Sequence, residues 1–203
     1  MTLLSLALAA ALGTTPEPAK APDCRYDRAA LLALEPGLFD QDMEGGWRPL
    51  ADRGCKAEAA ELLAAYAALP RAAGNTLIVW HEGQLRAELG QTAQAIALMQ
   101  RTYKSKDTDP GYWNAYVDGT LAFLRQDRHG LEQARAALVA IPTPDGLAAN
   151  IHNGRYRFTT EGGQQADMPW PPNLEMLDGF LRCFDRNYQT AYTLPACRNP
   201  QGD

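Results

Sequence analysis

The 203-residue chain reads as all-α: stacked helical hairpins forming an α-solenoid, with a small irregular β-hairpin insertion and a C-terminal capping helix. Three observations predict this class. Ala and Leu carry the apolar fraction while Val and Ile are scarce, which favours helices over a large buried sheet. Apolar residues recur at i, i+3 and i+4 through the middle of the chain, the spacing of a helix with one buried face. A pattern of aromatic, any residue, acid, Gly, any residue, Leu occurs at Trp80-His81-Glu82-Gly83-Gln84-Leu85 and again, 36 residues later, at Tyr116-Val117-Asp118-Gly119-Thr120-Leu121. Self-similarity at such a period is the mark of stacked repeats.

Taken in order, residues 1–21 form an expected leader and linker. The apolar run 3–13 has the length of a signal-peptide core and is too short to span a bilayer. Ala9 and Ala11, Ala11 and Gly13, or Ala19 and Ala21 suit cleavage after 11, 13 or 21. No Lys or Arg precedes the run, so a frayed first helix of a cytosolic protein is the alternative. The cysteines favour export. Cys24, Cys55, Cys183 and Cys197 contain no C-x-x-C, so zinc and thioredoxin-type spacings are missing. Of three possible pairings, Cys24–Cys55 and Cys183–Cys197 each tie a loose end to a nearby helix; four free thiols are the alternative.

Residues 22–142 form the repeat region. A short helix is expected over 26–34, with Leu31 and Leu32 inward. The following stretch carries Asp40, Asp42, Glu44 and Gly45, like the start of a calcium-binding loop, but the twelfth position is Ala51 where a bidentate acid is required. It is therefore expected to be a solvated acidic loop whose Gly pair turns the chain before Trp47. Helix pairs follow over 46–53 with 56–68, 76–89 with 92–104, and 112–125 with 130–140, separated by Pro70, Gly74, Asp109-Pro110-Gly111, Pro142 and Pro144.

Gly83, Gly90, Ala95 and Met99 form one motif copy, Gly119, Ala134 and Leu138 a second, and Gly54, Ala59, Leu63 and Pro70 a degenerate first. Over about 95 residues the chain thus resembles the tetratricopeptide repeat family. Its departures are a period stretched beyond the family's roughly 34 residues and acids, Glu82 and Asp118, where Leu usually stands beside the first Gly. The resemblance implies a peptide or protein ligand on a concave face made by the first helix of each pair. The matching positions here are Arg48, Leu77, Trp80, Gln84, Trp113, Tyr116 and Thr120.

Residues 143–203 form the expected cap. Asn153-Gly154 marks a tight hairpin within 151–158. Pro169, Pro171 and Pro172 around Trp170 read as a stiff connector. A final helix is expected over 173–188, with Leu174, Leu177, Phe180, Leu181 and Phe184 on one face, covering the solenoid end.

Chemistry is sparsely signalled. Only Ser5 and Ser105 are serines, so a serine nucleophile is nearly excluded. His81-Glu82 begins H-E-x-x-H, but Leu85 holds the fifth place, and His129 and His152 lie on other elements; no metal site or cofactor is expected. A net charge of -5 argues against nucleic acid as partner, and any membrane association would be peripheral. Glu82 and Asp118 occupy one frame position in successive units, roughly 10 Å apart if the helices stack. They could line a groove for a cationic or sugar-like ligand, act as an acid–base pair in glycan hydrolysis, or be held locally, Glu82 by Arg86 and Asp118 by nearby backbone or an Arg. The expectation is a periplasmic or secreted, non-enzymatic protein that binds a peptide or protein partner. A cell-envelope hydrolase using the carboxylate pair is the alternative, and a secreted inhibitor or immunity-type protein a third.

Overall fold

The computed structural model describes residues 21–105, 107–109, 112–159 and 165–198. The expected leader lies outside them apart from residue 21. The chain is mostly helical with one small antiparallel sheet. An N-terminal arm holds α1 (Arg28–Ala33) and a π-helical turn (Gly37–Gln41). Then come α2 (Arg48–Asp52), α3 (Lys56–Ala67), α4 (Thr76–Glu88), α5 (Thr92–Gln100), α6 (Tyr112–Leu124) and α7 (Arg128–Ala140). These agree with the three expected helix pairs to within a few residues at their ends.

The punctuation has physical causes. Asn75 caps α4 by accepting from the Leu77 N–H, and Asp127 caps α7 by accepting from the Gly130 N–H, so α7 starts at Arg128, earlier than expected. Helices α2 to α7 pack neighbour against neighbour in chain order. Apolar burial divides into two clusters. One joins Phe39, Trp47 and Leu50 to α3 and parts of α4. The other joins α4 to α7 with the C-terminal helices. Each fully buried Leu or Phe there contributes roughly 1.5–3 kcal/mol.

The expected hairpin is present and gains a third strand. β1 (Ile151–His152) turns through Asn153-Gly154 into β2 (Arg155–Thr159), which also pairs antiparallel with β3 (Gln165–Pro169). Pro169, expected in a connector, ends β3 opposite Arg155. As the last residue of an outer strand it can lack an N–H without breaking the ladder.

The expected single last helix is three: α8 (Leu174–Arg182), α9 (Tyr188–Thr193) and α10 (Pro195–Arg198). Helix α8 ends at Arg182, short of the expected 188, and Asn187, whose side chain accepts from the Thr190 N–H, starts α9. Helix α8 packs on α6 and α7, while α9 reaches back to α4. Both expected disulfides, Cys24–Cys55 and Cys183–Cys197, are formed, with Cα atoms 5.5 and 5.7 Å apart, and no described cysteine is free. Each closed loop stabilises by about 3 kcal/mol in the chain-entropy model. Two such bonds point to an oxidising, extracellular compartment.

Candidate functional site

The N-terminal arm delivers an acid to the interior. The π-helical turn directs Asp40 inward, where it is fully buried. Its carboxylate accepts from Trp47 Nε1 at 3.0 Å, Gln41 Nε2 at 2.6 Å and His81 Nδ1 at 2.6 Å. The Arg48 guanidinium donates to the Asp40 backbone oxygen and lies over the Trp47 ring. Gly46 makes the turn possible: at φ 58° a Cβ there would stand 1.9 Å from the Phe39 carbonyl oxygen. The solvated loop expected for this stretch is thus corrected at Asp40. Asp42, Met43 and Glu44 are exposed, but Asp40 faces in because three donors meet its carboxylate. Burial pushes the Asp40 carboxyl up; the bonds from His81, Trp47 and Gln41 outweigh it and hold the pKa below the ordinary value. The bond to this carboxylate keeps a proton on His81 Nδ1 and leaves Nε2 as the ring's other polar atom.

Beside this centre lies a groove of about 510 Å³, formed between the 43–48 turn, α2, the end of α4 and Thr193 at the end of α9. Trp47, Ala51 and Leu85 give it an apolar floor, and Met43 stands at its edge. Lys56 and Glu88 close one wall with a 2.6 Å ion pair, both half-buried.

The expected ligand positions separate into two groups. Trp80, Tyr116 and Thr120 are core residues with 2 %, 3 % and 0 % exposure, so they form no open surface. Trp80 packs on Trp113 and Tyr116 with ring centroids 4.9 and 5.0 Å apart, Thr120 donates to the Tyr116 carbonyl at 2.9 Å, and the C-terminal segment packs on the same helices. Phe180 of α8 stacks on Phe123, Leu177 packs at Gly119, and the Tyr188 hydroxyl of α9 accepts from Gln84 at 3.4 Å. Gln84 is half-buried beneath it. The other group stays accessible. Arg48 lines the groove, and Trp113 lines a separate cleft of about 290 Å³ with Leu77 and Lys104. The Trp113 ring donates to the Thr102 carbonyl at 2.8 Å and carries Lys104 over its face at 5.2 Å.

Glu82 and Asp118 have separate partners. Glu82 is buried against Arg86, 3.4 Å away, and Arg86 also binds Glu61 at 2.7 Å and Gln91 at 3.1 Å. Burial raises the Glu82 pKa, with Arg86 acting against it. Asp118 is exposed and accepts from the Tyr103 hydroxyl; burial and then that carboxylate push the Tyr103 pKa up. The groove walls include neither acid.

Sequence reasoning missed Asp40, Trp47 and His81 as a unit. Its only local trace is a lone acid next to Phe39 and seven residues before a Trp; His81 lies 41 positions away. Among the described residues, the one candidate metal-ligand cluster is Cys24, Cys55 and Glu58, whose two cysteines are joined as a disulfide. No described helix is long and apolar enough to cross a membrane. Comparison with family models, curated proteins and solved structures finds no match to this chain.

Proposed function

We propose that this chain is an exported, non-enzymatic helical-repeat protein, similar in plan to tetratricopeptide repeat proteins, that holds a peptide or protein partner in the periplasm or outside the cell. The observation that carries the reading is the 510 Å³ groove with an apolar floor and an exposed Met at its edge. Concave apolar sites bordered by a few placed polar groups suit ligand binding. Arg48, expected at the first concave position, lines this groove. Of the other concave positions, Gln84 meets Tyr188 of α9, and Trp80, Tyr116 and Thr120 are buried. The carboxylate-pair hydrolase draws no support from geometry in which Arg86 holds Glu82 and the Tyr103 hydroxyl holds Asp118.

The test is selection of peptides from a random display library on the oxidised full chain, followed by photo-crosslinking. A benzoylphenylalanine at position 43 is expected to label the selected peptides. The same group at Val139, an exposed apolar position on α7, is expected not to label them. A selection without binders, or labelling from position 139 alone, refutes the reading. Export is checked by N-terminal sequencing of fractionated protein. A mature end after 11, 13 or 21 is expected, and full-length cytosolic protein would sink it.

A further inference from the structure

We propose that the groove's occupant is a basic, apolar peptide segment. One apolar side chain sits between Met43, Trp47 and Leu85, and flanking Lys or Arg side chains reach the surrounding carboxylates. This rests on the peptide-holding reading above and specifies its partner. The apolar half follows from exposure: Met43 is 73 % exposed, the most exposed large apolar side chain among the described residues, at the edge of a floor of Trp47 and Leu85. Thioethers adapt to varied apolar partners at little steric cost.

The basic half follows from charge. The groove's two cations are already engaged: Arg48 lies over Trp47 at 4.5 Å and donates to the Asp40 backbone oxygen, and Lys56 pairs with Glu88 at 2.6 Å. Arg53 lines the neighbouring cleft and donates to the Arg25 backbone oxygen. Among the acids, the Asp42 carboxylate accepts from the Glu44 backbone N–H at 3.0 Å. Asp42 and Glu44 are exposed on either side of Met43, and Asp52 is exposed in the groove wall. None of the three has an ion-pair partner among the described residues. One carboxylate in the groove wall and two next to Met43 in the chain, none with an ion-pair partner among the described residues, complement a cationic, apolar segment and repel an acidic one. The overall charge of -5 adds attraction at longer range.

The experiment is fluorescence anisotropy with an end-capped Leu/Lys peptide of about a dozen residues, alongside versions carrying Gln or Glu for Lys. The Lys peptide is expected to bind the full oxidised chain, more weakly as salt rises. Asp42→Asn, Glu44→Gln and Asp52→Asn together are expected to weaken it about tenfold or more. Met43→Ser alone is expected to weaken it several-fold. A charge-matched control, Asp107→Asn with Glu132→Gln and Asp185→Asn, is expected to keep most of the affinity. Equal binding of the Gln or Glu peptide, or an equal loss in the control, overturns the basic occupant and leaves the peptide-holding reading to the crosslinking test. Failure of all three peptides to bind overturns this proposal, while labelled library peptides from position 43 would still uphold the broader one.

Discussion

Asp40 shows how one residue organises its surroundings. Three donors from Gln41, Trp47 and His81 converge on a carboxylate with no exposure. Asp40→Asn replaces an all-acceptor group with one that must aim an amide at some of those donors. Losing hydrogen bonds to a buried charge in this way costs about 1.5–3 kcal/mol, measurable as a lower midpoint in urea. The pH dependence has a definite sign. The folded-state pKa of Asp40 lies below its unfolded value. Its contribution is therefore complete above the ordinary Asp range near 4 and disappears as pH falls through the folded pKa. Urea titrations across that window should show wild type losing stability, with a shallower slope for the Asn variant. Glu82 has the opposite sign: burial raises its pKa, so ionisation on raising the pH works against the fold. Glu82→Gln should accordingly cost less at neutral pH than Asp40→Asn, although Arg86 loses one of its two carboxylate partners.

At the scale of elements, the two repeat glycines meet different neighbours. A Cβ on Gly83 would come within 2.9 Å of Met99 in α5, whereas one on Gly119 would come within 2.5 Å of Leu177 in α8. Helix propensity favours Ala over Gly by about 1 kcal/mol at both sites. Overpacking opposes it by about 1–3 kcal/mol, more where the neighbour is a fully buried branched side chain such as Leu177. Gly119→Ala should therefore lower the melting temperature, and by more than Gly83→Ala; equal shifts would contradict the distinct packing of α8 on α6. The same contrast shows what was legible. The Gly and Ala spacing, the turn at Asn153-Gly154 and the Pro punctuation locate helices and hairpin because those signals are local. The end of α8 at Arg182 was not legible, because the apolar face from Leu174 to Phe184 keeps helical spacing past it.

Across the whole molecule, the disulfides close each end on itself. Cys24–Cys55 ties the arm to the start of α3, and near the end of α3 the Tyr66 hydroxyl donates to the Leu34 carbonyl at 2.6 Å. Cys183–Cys197 ties α8 to α10 within the C-terminal segment. Replacing Cys183 and Cys197 with Ala should cost about 3 kcal/mol and loosen α10 first. Amide hydrogen exchange checks this, with faster exchange expected in α10 than in α6.

Local spacing in the sequence determined the helical class, the order of the helix pairs and the hairpin turn; it favoured one cysteine pairing of three, and the fold formed that pairing. Tertiary structure decided which of those helix faces stayed open. Trp80, Tyr116 and Thr120 bear the same spacing whether they line a groove or a core, and only the packing of Trp80 on Trp113 and Tyr116, within a cluster that takes in α8 and α9, settles that they are core. The inward turn of Asp40 was decided in the same way: an acid in a Gly-rich loop is solvated unless distant donors such as His81 make burial favourable, and spacing along the chain carries no record of a partner 41 residues away.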